Sequence, residues 1–450
     1  MKTLFITLFE GVESKNILRT AIFKTFMRSP DLRLVLLVKN EARAEYHRKE
    51  FNDPRIIYEA VPAIRPKGLD RVFARLKFLL LRTETTLLRR RLLYEERRDH
   101  AGYALYFLAN WCFARRPLVK ISRLFDYLFV QNRTFWGLFS KYRPDCVFLG
   151  NLFDETETHL VREARRRRVM TVGLINSWDK ATARCVLRLL PDRLIVYNRH
   201  IRKNLIERHA VRSEMIFIGG IPQYDGYFGF SPEPREEFFR KRGLDPRKKL
   251  IVYSPLGSAF TKSDWEVIDL MHELTRSGAF GADAGLLVRF PPYDTIDAEE
   301  LKKRPDLIYE YPGARFSRTH LAEWDMTSEE MGELANTLYH MSVLVCHASS
   351  ISVDAAVFGK PVINIGFGIE DDNAKRLYGM THYQQALQTG GIRMVASRDE
   401  LIRWVRTYFD NPSTDAEERK LLTREQCEFL DGKSGERIGL FLLKEMGLPG

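Results

Sequence analysis

Short apolar runs without charges recur along the chain, separated by longer segments in which apolar and polar residues alternate with helical spacing. Such runs are typical of strands buried on both faces, and the segments between them are typical of helices that cover a sheet. One helix is predicted over residues 17–27. The predicted strands fall in three groups: 4–9, 32–38 and 55–59; 146–149, 169–175 and 193–196; 249–254, 285–290, 343–346 and 362–365. The pattern predicts an α/β protein with parallel sheets.

The length and one Pro-rich stretch predict two domains. A chain of 450 residues with 45% hydrophobic content is long enough for two ordinary cores. Residues 231–235, Ser-Pro-Glu-Pro-Arg, have the composition of a linker. We therefore predict an N-terminal domain at 1–230 and a C-terminal domain at 231–450, the first interrupted by a helical basic insertion at about 64–142.

The insertion carries the positive charge of the protein. Between residues 65 and 143 there are 18 Lys and Arg against six Asp and Glu, which equals the excess of +12 in the whole chain. Cationic and aromatic side chains among apolar ones suit a helix that lies in an anionic membrane interface. An ordinary helical insertion with a solvated basic face explains the pattern equally well. A nucleic-acid partner is disfavoured, because no known binding motif accompanies the charge.

The cysteines and the termini bear on localisation. Five Cys are scattered without a CxxC pair, which is typical of core thiols in a reducing compartment and suggests no metal site. The first eleven residues lack the features of a signal peptide, and the longest charge-free run of the insertion, 101–114, is too short to span a bilayer. We expect a cytoplasmic protein, with the inner membrane face as a peripheral location.

Residues 343–366 predict a strand, a short polar turn, a helix and a second strand. In a parallel βαβ unit this turn lies at the carboxyl edge of the sheet, where the amides of the helix start attract anions. The turn therefore predicts a nucleotide phosphate site. The alternative is that its serines only cap the helix. The residues proposed to contact the nucleotide are His347, Ser349, Ser350, Ser352 and Asp354.

The same turn carries a family resemblance. Residues 347–363, HASSISVDAAVFGKPVI, resemble the donor-site segment of GT-B glycosyltransferases. The similar group includes CDP-glycerol glycerophosphotransferases, lipid A disaccharide synthase and UDP-N-acetylglucosamine 2-epimerases. Further blocks resemble this group in the same order along the chain: 177–182, 191–198, 217–225 and 429–438. The resemblance implies two Rossmann-like, doubly wound domains facing a cleft, with the donor in the C-terminal domain and the acceptor in the N-terminal one.

Two further places in the second domain are candidates for the phosphates. Gly257 and Ser258 follow a predicted strand, where backbone amides approach an anion closely. Arg289 ends another strand and is suited to grip phosphate oxygens, although a strand-end Arg is commonly a surface ion pair. The resembling group usually reads Arg-x-His-Pro at this point. Here the sequence is Arg-Phe-Pro-Pro, so any role of that histidine is lost.

A transferase also needs a base that deprotonates the acceptor hydroxyl. Three acids follow predicted strands of the first domain at its carboxyl edge: Glu13, Asp154 and Asp179. We rank Glu13 and Asp179 above Asp154. The alternative for each is a helix cap.

These observations predict a metal-independent glycosyltransferase or glycerophosphotransferase. It would move a sugar or polyol phosphate from a nucleotide donor, such as a UDP-sugar or CDP-glycerol, to a polyol, glycan or lipid-linked acceptor of the cell envelope, without a cofactor. One alternative is a UDP-sugar 2-epimerase, which needs no acceptor domain and leaves the large insertion unexplained. The other is a non-catalytic protein that binds phosphorylated ligands or membranes.

Overall fold

Each cluster of apolar runs forms part of a parallel sheet, and the predicted α/β architecture is confirmed. The structure is a computed structural model that describes residues 1–261, 263–316, 323–367 and 376–449. These residues divide into two compact units, Met1–Asp225 with Lys433–Gly450, and Gly226–Gly432.

The first unit contains a parallel sheet in the order β3-β2-β1-β4-β5-β6-β7. Its central strands are fully buried: Phe5 pairs in register with Val35 on one side and Val147 on the other. The strands are β1 (Lys2–Leu8), β2 (Leu32–Val38), β3 (Ile56–Ala60), β4 (Cys146–Leu149), β5 (Met170–Leu174), β6 (Arg193–Val196) and β7 (Ile216–Ile218).

Helices cover this sheet, and five of them form the predicted insertion between β3 and β4. The helices are α1 (Gly11–Ile17), α2 (Ala21–Arg28), α3 (Glu41–Arg48), α4 (Gly68–Leu79), α5 (Glu84–Glu96), α6 (His100–Phe113), α7 (Arg116–Phe129), α8 (Trp136–Tyr142), α9 (Glu155–Arg166), α10 (Lys180–Ala183) and α11 (Arg199–Arg208). Where the sequence predicts a loop leading into one helix over 17–27, the chain forms α1 and α2. The side chain of Thr20 caps α2 and accepts a hydrogen bond from the amide of Ile22, which starts a new helix at that point.

The second unit has a parallel sheet in the order β10-β9-β8-β13-β14-β15 and a small antiparallel pair, β11-β12. The strands are β8 (Lys249–Ser254), β9 (Ala284–Arg289), β10 (Tyr309–Glu310), β11 (Ala314–Arg315), β12 (Trp324–Asp325), β13 (Val343–Cys346), β14 (Val362–Ile365) and β15 (Arg393–Val395). The helices are α12 (Arg235–Lys241), α13 (Asp264–Arg276), α14 (Ala298–Lys302), α15 (Ser328–His340), α16 (Ile351–Val357), α17 (Thr381–Leu387), α18 (Arg398–Asp410) and α19 (Ala416–Cys427).

The last helix, α20 (Ser434–Glu445), belongs to the first unit. The predicted domain division placed it in the second domain. Two glycines one turn apart let α20 approach α2 closely. A Cβ on Gly439 would lie 2.7 Å from Cβ of Thr25, and one on Gly435 would lie 3.0 Å from the amide nitrogen of Ala21. The carboxylate of Asp225 accepts hydrogen bonds from the first amides of α20, at 2.9 Å from Ser434 and 2.6 Å from Gly435.

A buried ion network ties the insertion to the sheet. Arg188, in the loop before β6, lies 2.5 Å from Asp70 of α4, 2.6 Å from Asp126 of α7 and 2.5 Å from Glu155 of α9. The side chain of Arg188 is only 3% exposed. Because a buried charge without a partner is very unfavourable, these contacts fix α4 and α7 against the sheet.

The insertion exposes many large apolar side chains. Among its exposed side chains are Leu105 at 70%, Leu108 at 58%, Trp111 at 51%, Leu124 at 55% and Phe129 at 58%. Within the described residues, no helix combines the length and the apolar character needed to cross a membrane.

Candidate functional site

The turn predicted to hold the nucleotide lies where expected, between β13 and α16 at the carboxyl edge of the second sheet. β13 and β14 pair in parallel, and both are fully buried. Helix α16 begins at Ile351, and the side chain of its N-cap residue, Ser350, makes no cap bond. Ser350, at the cap position, is exposed, and Ser349 is half-buried. The start of α16 therefore presents two serine hydroxyls to solvent rather than to its own backbone.

His347 lies beneath this turn and is 1% exposed. Its Nε2 is 3.4 Å from the hydroxyl of Tyr253, and its Nδ1 has no hydrogen-bond partner in the described part of the chain. Burial lowers the pKa of His347 to about 4. The ring is therefore neutral at pH 7 and offers one hydrogen bond rather than a charge.

Ser352 and Asp354 face inward from α16. The Ser352 hydroxyl is 3.2 Å from the hydroxyl of Tyr383 and 3.4 Å from Sγ of Cys346. Asp354 accepts a hydrogen bond of 2.5 Å from the hydroxyl of Tyr227. Both residues are buried. A nucleotide that contacted them, as predicted, would have to replace these internal hydrogen bonds.

Gly257 and Ser258 form a turn at the carboxyl end of β8, as predicted. Gly257 has φ +98°, a conformation that L side chains rarely adopt, and an added Cβ would lie 3.0 Å from the ring of Tyr293. The Asp264 carboxylate accepts the Gly257 amide at 2.7 Å, and Asp294 accepts the Ser258 amide at 3.0 Å. Burial raises the pKa of Asp264 to about 6. The backbone amides predicted to bind phosphate therefore already donate hydrogen bonds to two aspartates.

Arg289 is 4% exposed and pairs with Glu310 of the adjacent strand β10. Glu310 is also 2.6 Å from Arg242 of α12 and accepts a hydrogen bond from Thr337. Charge from both arginines lowers the pKa of Glu310 despite its burial. The expected strand-end ligand for phosphate is therefore part of an ion pair, as in the alternative considered for it, but the pair is buried and not at the surface.

Glu13 lies inside helix α1 and not in a loop. It is fully buried, and its Oε2 accepts the backbone amides of Phe9 and Glu10, so it completes a capping box. Burial, followed by the nearby charge of Glu157, raises its pKa. A carboxyl in this place stabilises the start of α1, and it is poorly placed to meet an acceptor hydroxyl.

The two other predicted bases differ in what they contact. Asp154 is the N-cap of α9 and accepts the amide of Thr156 at 2.7 Å. Asp179 precedes α10, makes no cap bond with its side chain and accepts a hydrogen bond from the Ser177 hydroxyl. Asp179 is half-buried, whereas Lys180 beside it is buried. Asp154 and Asp179 are both half-buried, and Asp179 differs in that its side chain makes no cap bond to a helix start.

A buried polar cluster at the carboxyl edge of the first sheet is not predicted from the sequence. Glu157 accepts the hydroxyl of Thr7 at 2.5 Å and the amide of Asn151 at 2.9 Å, and Lys180 donates to Asn151 at 3.0 Å. Burial raises the pKa of Glu157. Glu157 lies within α9 and belongs to no sequence motif. Its position three residues after the N-cap Asp154 is the one sequence signal for its burial.

Across the described ranges, no group of three or more His, Cys, Asp and Glu side chains is arranged to hold a metal ion.

Comparisons with known proteins place this geometry in context. A sequence profile described as CDP-Glycerol:Poly(glycerophosphate) glycerophosphotransferase matches residues 188–444, a range that includes the turn before α16. A search of the curated proteins finds no match.

Solved structures share the fold at low sequence identity. The S. aureus MnaA–UDP co-structure has a TM-score of 0.54 and 10% identity, covering 100% of this chain and 98% of that one. The UDP-GlcNAc 2-epimerase from Neisseria meningitidis bound to UDP-GlcNAc has a TM-score of 0.53 and 10% identity, with coverages of 99% and 100%. The wall teichoic acid polymerase TagF with CDPG has a TM-score of 0.52 and 14% identity, with coverages of 99% and 89%.

Proposed function

The chain belongs to the family of CDP-glycerol:poly(glycerophosphate) glycerophosphotransferases, and from that membership we propose that it transfers glycerol phosphate from CDP-glycerol to a polyol, glycan or lipid-linked hydroxyl. The resemblance inferred from the sequence blocks is thereby confirmed, as is the assignment to nucleotide-dependent transferases. The epimerase alternative has support from the fold alone, because the UDP-N-acetylglucosamine 2-epimerase structures are only 10 to 12% identical to this chain.

The proposed reaction is a phosphoryl transfer. An acceptor oxygen forms a bond to the phosphorus that carries glycerol, the bridging P–O bond of the diphosphate breaks, and CMP leaves with the bonding electrons. The hydroxyl proton passes to a base. Negative charge grows on the leaving phosphate, so donors close to it lower the barrier.

In our assignment, the second unit binds the donor at the turn before α16. The single observation that carries it is the start of this helix, where the N-cap residue Ser350 is exposed and makes no cap bond and the neutral His347 lies below. Helix starts of this kind favour phosphate. Asp179 of the first unit is the proposed base. Gly257, Ser258, Arg289, Ser352 and Asp354 then act by holding the shape of the site rather than by direct contact.

Ser350→Asp is expected to abolish donor binding, because it places a second negative charge against the diphosphate. At a CDP-glycerol concentration 100 times the dissociation constant, the donor should stabilise the wild type by about 2.7 kcal/mol. Thermal unfolding with and without CDP-glycerol measures this gain. Ser413→Asp, which adds the same charge at an exposed position of the same unit, should retain the gain. A Ser350→Asp variant that is stabilised like the wild type would move the donor to another place.

We also propose that the insertion binds the anionic inner face of the membrane, where a lipid-linked acceptor resides. Its exposed apolar side chains lie among cations: Arg115, for example, lies 5.2 Å from the ring centroid of the exposed Trp111. Apolar side chains enter the interface, and each nearby Lys or Arg adds about 1 kcal/mol of attraction.

Replacing both Leu108 and Trp111 by Ser should release the protein from vesicles of phosphatidylglycerol and phosphatidylcholine. Co-sedimentation of wild type and variant measures the bound fraction, which should also fall at high salt because the attraction is screened. Leu440→Ser removes an apolar side chain that is 39% exposed on α20, outside the insertion, and should bind like the wild type. If the wild type itself stays in solution, the insertion is an ordinary solvated one.

A further inference from the structure

A basic groove lies in the second unit, at the sheet edge opposite the proposed donor turn. It is formed at the amino ends of β8, β13 and β14 and has a volume of about 770 Å³. Since parallel strands all point the same way, their amino ends are a strand length away from the turn before α16. Nothing in the proposed reaction uses this groove. The residues that matter for its chemistry are Arg235, Lys249, Tyr339, Phe358, Lys360 and Phe409.

Among the described residues, Lys360 is the cation of this groove whose charged group forms neither an ion pair nor a hydrogen bond. Within the described chain its ammonium forms no ion pair, and it lies 5.8 Å from the ring centroid of Tyr339. The other cations are engaged. Lys249 pairs with Asp283 at 3.2 Å, and Arg235 donates to the backbone oxygens of Pro246 and Lys248 at 2.8 and 2.7 Å.

The one carboxylate that lines the groove does not neutralise Lys360. The side chain of Glu233 pairs with Lys241, which lies outside the groove, and its backbone oxygen is 2.8 Å from Nε2 of His340. Burial, with the positive charge of Arg235, lowers the pKa of Lys360 to about 8. A bound anion would offset both effects, because it restores a counter-charge beside the ammonium.

The walls of the groove are aromatic. Tyr339, which is 44% exposed, and Phe358 both pack against Phe230, with ring centroids 5.9 and 5.8 Å away. Phe409 lies under the ammonium of Lys249. An apolar or flat group could bury its surface here while an attached anion meets Lys360.

We infer that this groove binds a phosphate ester with an apolar or aromatic alcohol part, the phosphate at Lys360 and the organic part against Tyr339 and Phe358. The site is separate from the donor turn, and it does not depend on the proposed transfer reaction.

The test uses phenyl phosphate and inorganic phosphate as probes. In protein with ¹³C-methylated lysines, the signal that Lys360→Met removes should titrate at a pH at least one unit higher when phenyl phosphate is saturating. By calorimetry, phenyl phosphate should bind at least threefold more tightly than inorganic phosphate. An unmoved Lys360 signal, or equal affinity for both probes, overturns the inference.

Variants separate this groove from other phosphate sites. Lys360→Met should weaken phenyl phosphate binding at least tenfold, and Lys360→Arg, which keeps the charge, should restore it to within threefold. Lys302→Met removes an exposed lysine of the same unit and should change it less than twofold. In the Ser350→Asp variant, the Lys360 signal should still shift when phenyl phosphate is added. The result therefore distinguishes an error in the donor site from an error in the groove. Binding to Lys360→Met at wild-type affinity would overturn the assignment.

Discussion

Asp179→Asn should lower kcat by a factor of about 10² to 10⁴, the usual contribution of a general base. Asn keeps the shape of the side chain but does not take a proton from the acceptor hydroxyl. The choice rests on contacts: Asp179 is half-buried and makes no cap bond, whereas Glu13 is fully buried and holds the start of α1. The measurement is the rate of CMP release from CDP-glycerol in the presence of acceptor.

Asp154→Asn is the matched control, because Asn caps a helix as well as Asp does. It should retain activity within a few-fold. Thermal stabilisation by CDP-glycerol should be equal in both variants, since neither residue belongs to the donor turn. Full activity of Asp179→Asn with a strong loss in Asp154→Asn would reverse the assignment, and full activity in both would exclude both acids.

Arg188→Met should destabilise the first unit by about 3 to 5 kcal/mol, because it removes the buried counter-charge that Asp70, Asp126 and Glu155 share. Asp126 is 2% exposed at its side chain and, within the described residues, would keep Arg162, at 2.6 Å, as its remaining cation. Asp70 would keep only His159, at 3.1 Å. A loss of this size is a large part of the total stability of a typical domain, which is about 5 to 15 kcal/mol.

Chemical denaturation followed by tryptophan fluorescence measures this loss, with the two units analysed as separate transitions. Arg212→Met is the matched control, since Arg212 forms an exposed pair with Glu214 and should cost less than about 1 kcal/mol. If Arg188→Met cost no more than Arg212→Met, the network would not be what holds α4 and α7 on the sheet.

The strands and the resemblance were predictable because they depend on local pattern. β13 and β14 have the predicted bounds, since a run of apolar residues between a helix and a polar turn admits only one reading. The capping box at the start of α15, where Thr327 and Glu330 exchange hydrogen bonds, corresponds to the local pattern Thr-Ser-Glu-Glu at 327–330.

The hydrogen bonds and ion pairs of the site residues could not be predicted from local pattern. Arg289 meets Glu310 across 21 residues, and Asp354 meets Tyr227 across 127, so no local pattern announces either bond. Glu13 looked like a loop acid because α1 has few apolar residues, and its burial depends on β1 and β4. The partners of Arg188 come from three different helices, which only the fold brings together.

The position of α20 makes the second unit an insertion within the first in chain order. One cut anywhere between residues 226 and 432 would deprive α2 of its glycine-lined neighbour, so neither half of a split gene would encode the complete first unit. The two ends of the interruption are adjacent, since Asp225 binds the amides of Ser434 and Gly435 directly. Excising 226–432 and rejoining the ends with a short bridge is therefore the route to a free-standing N-terminal sheet.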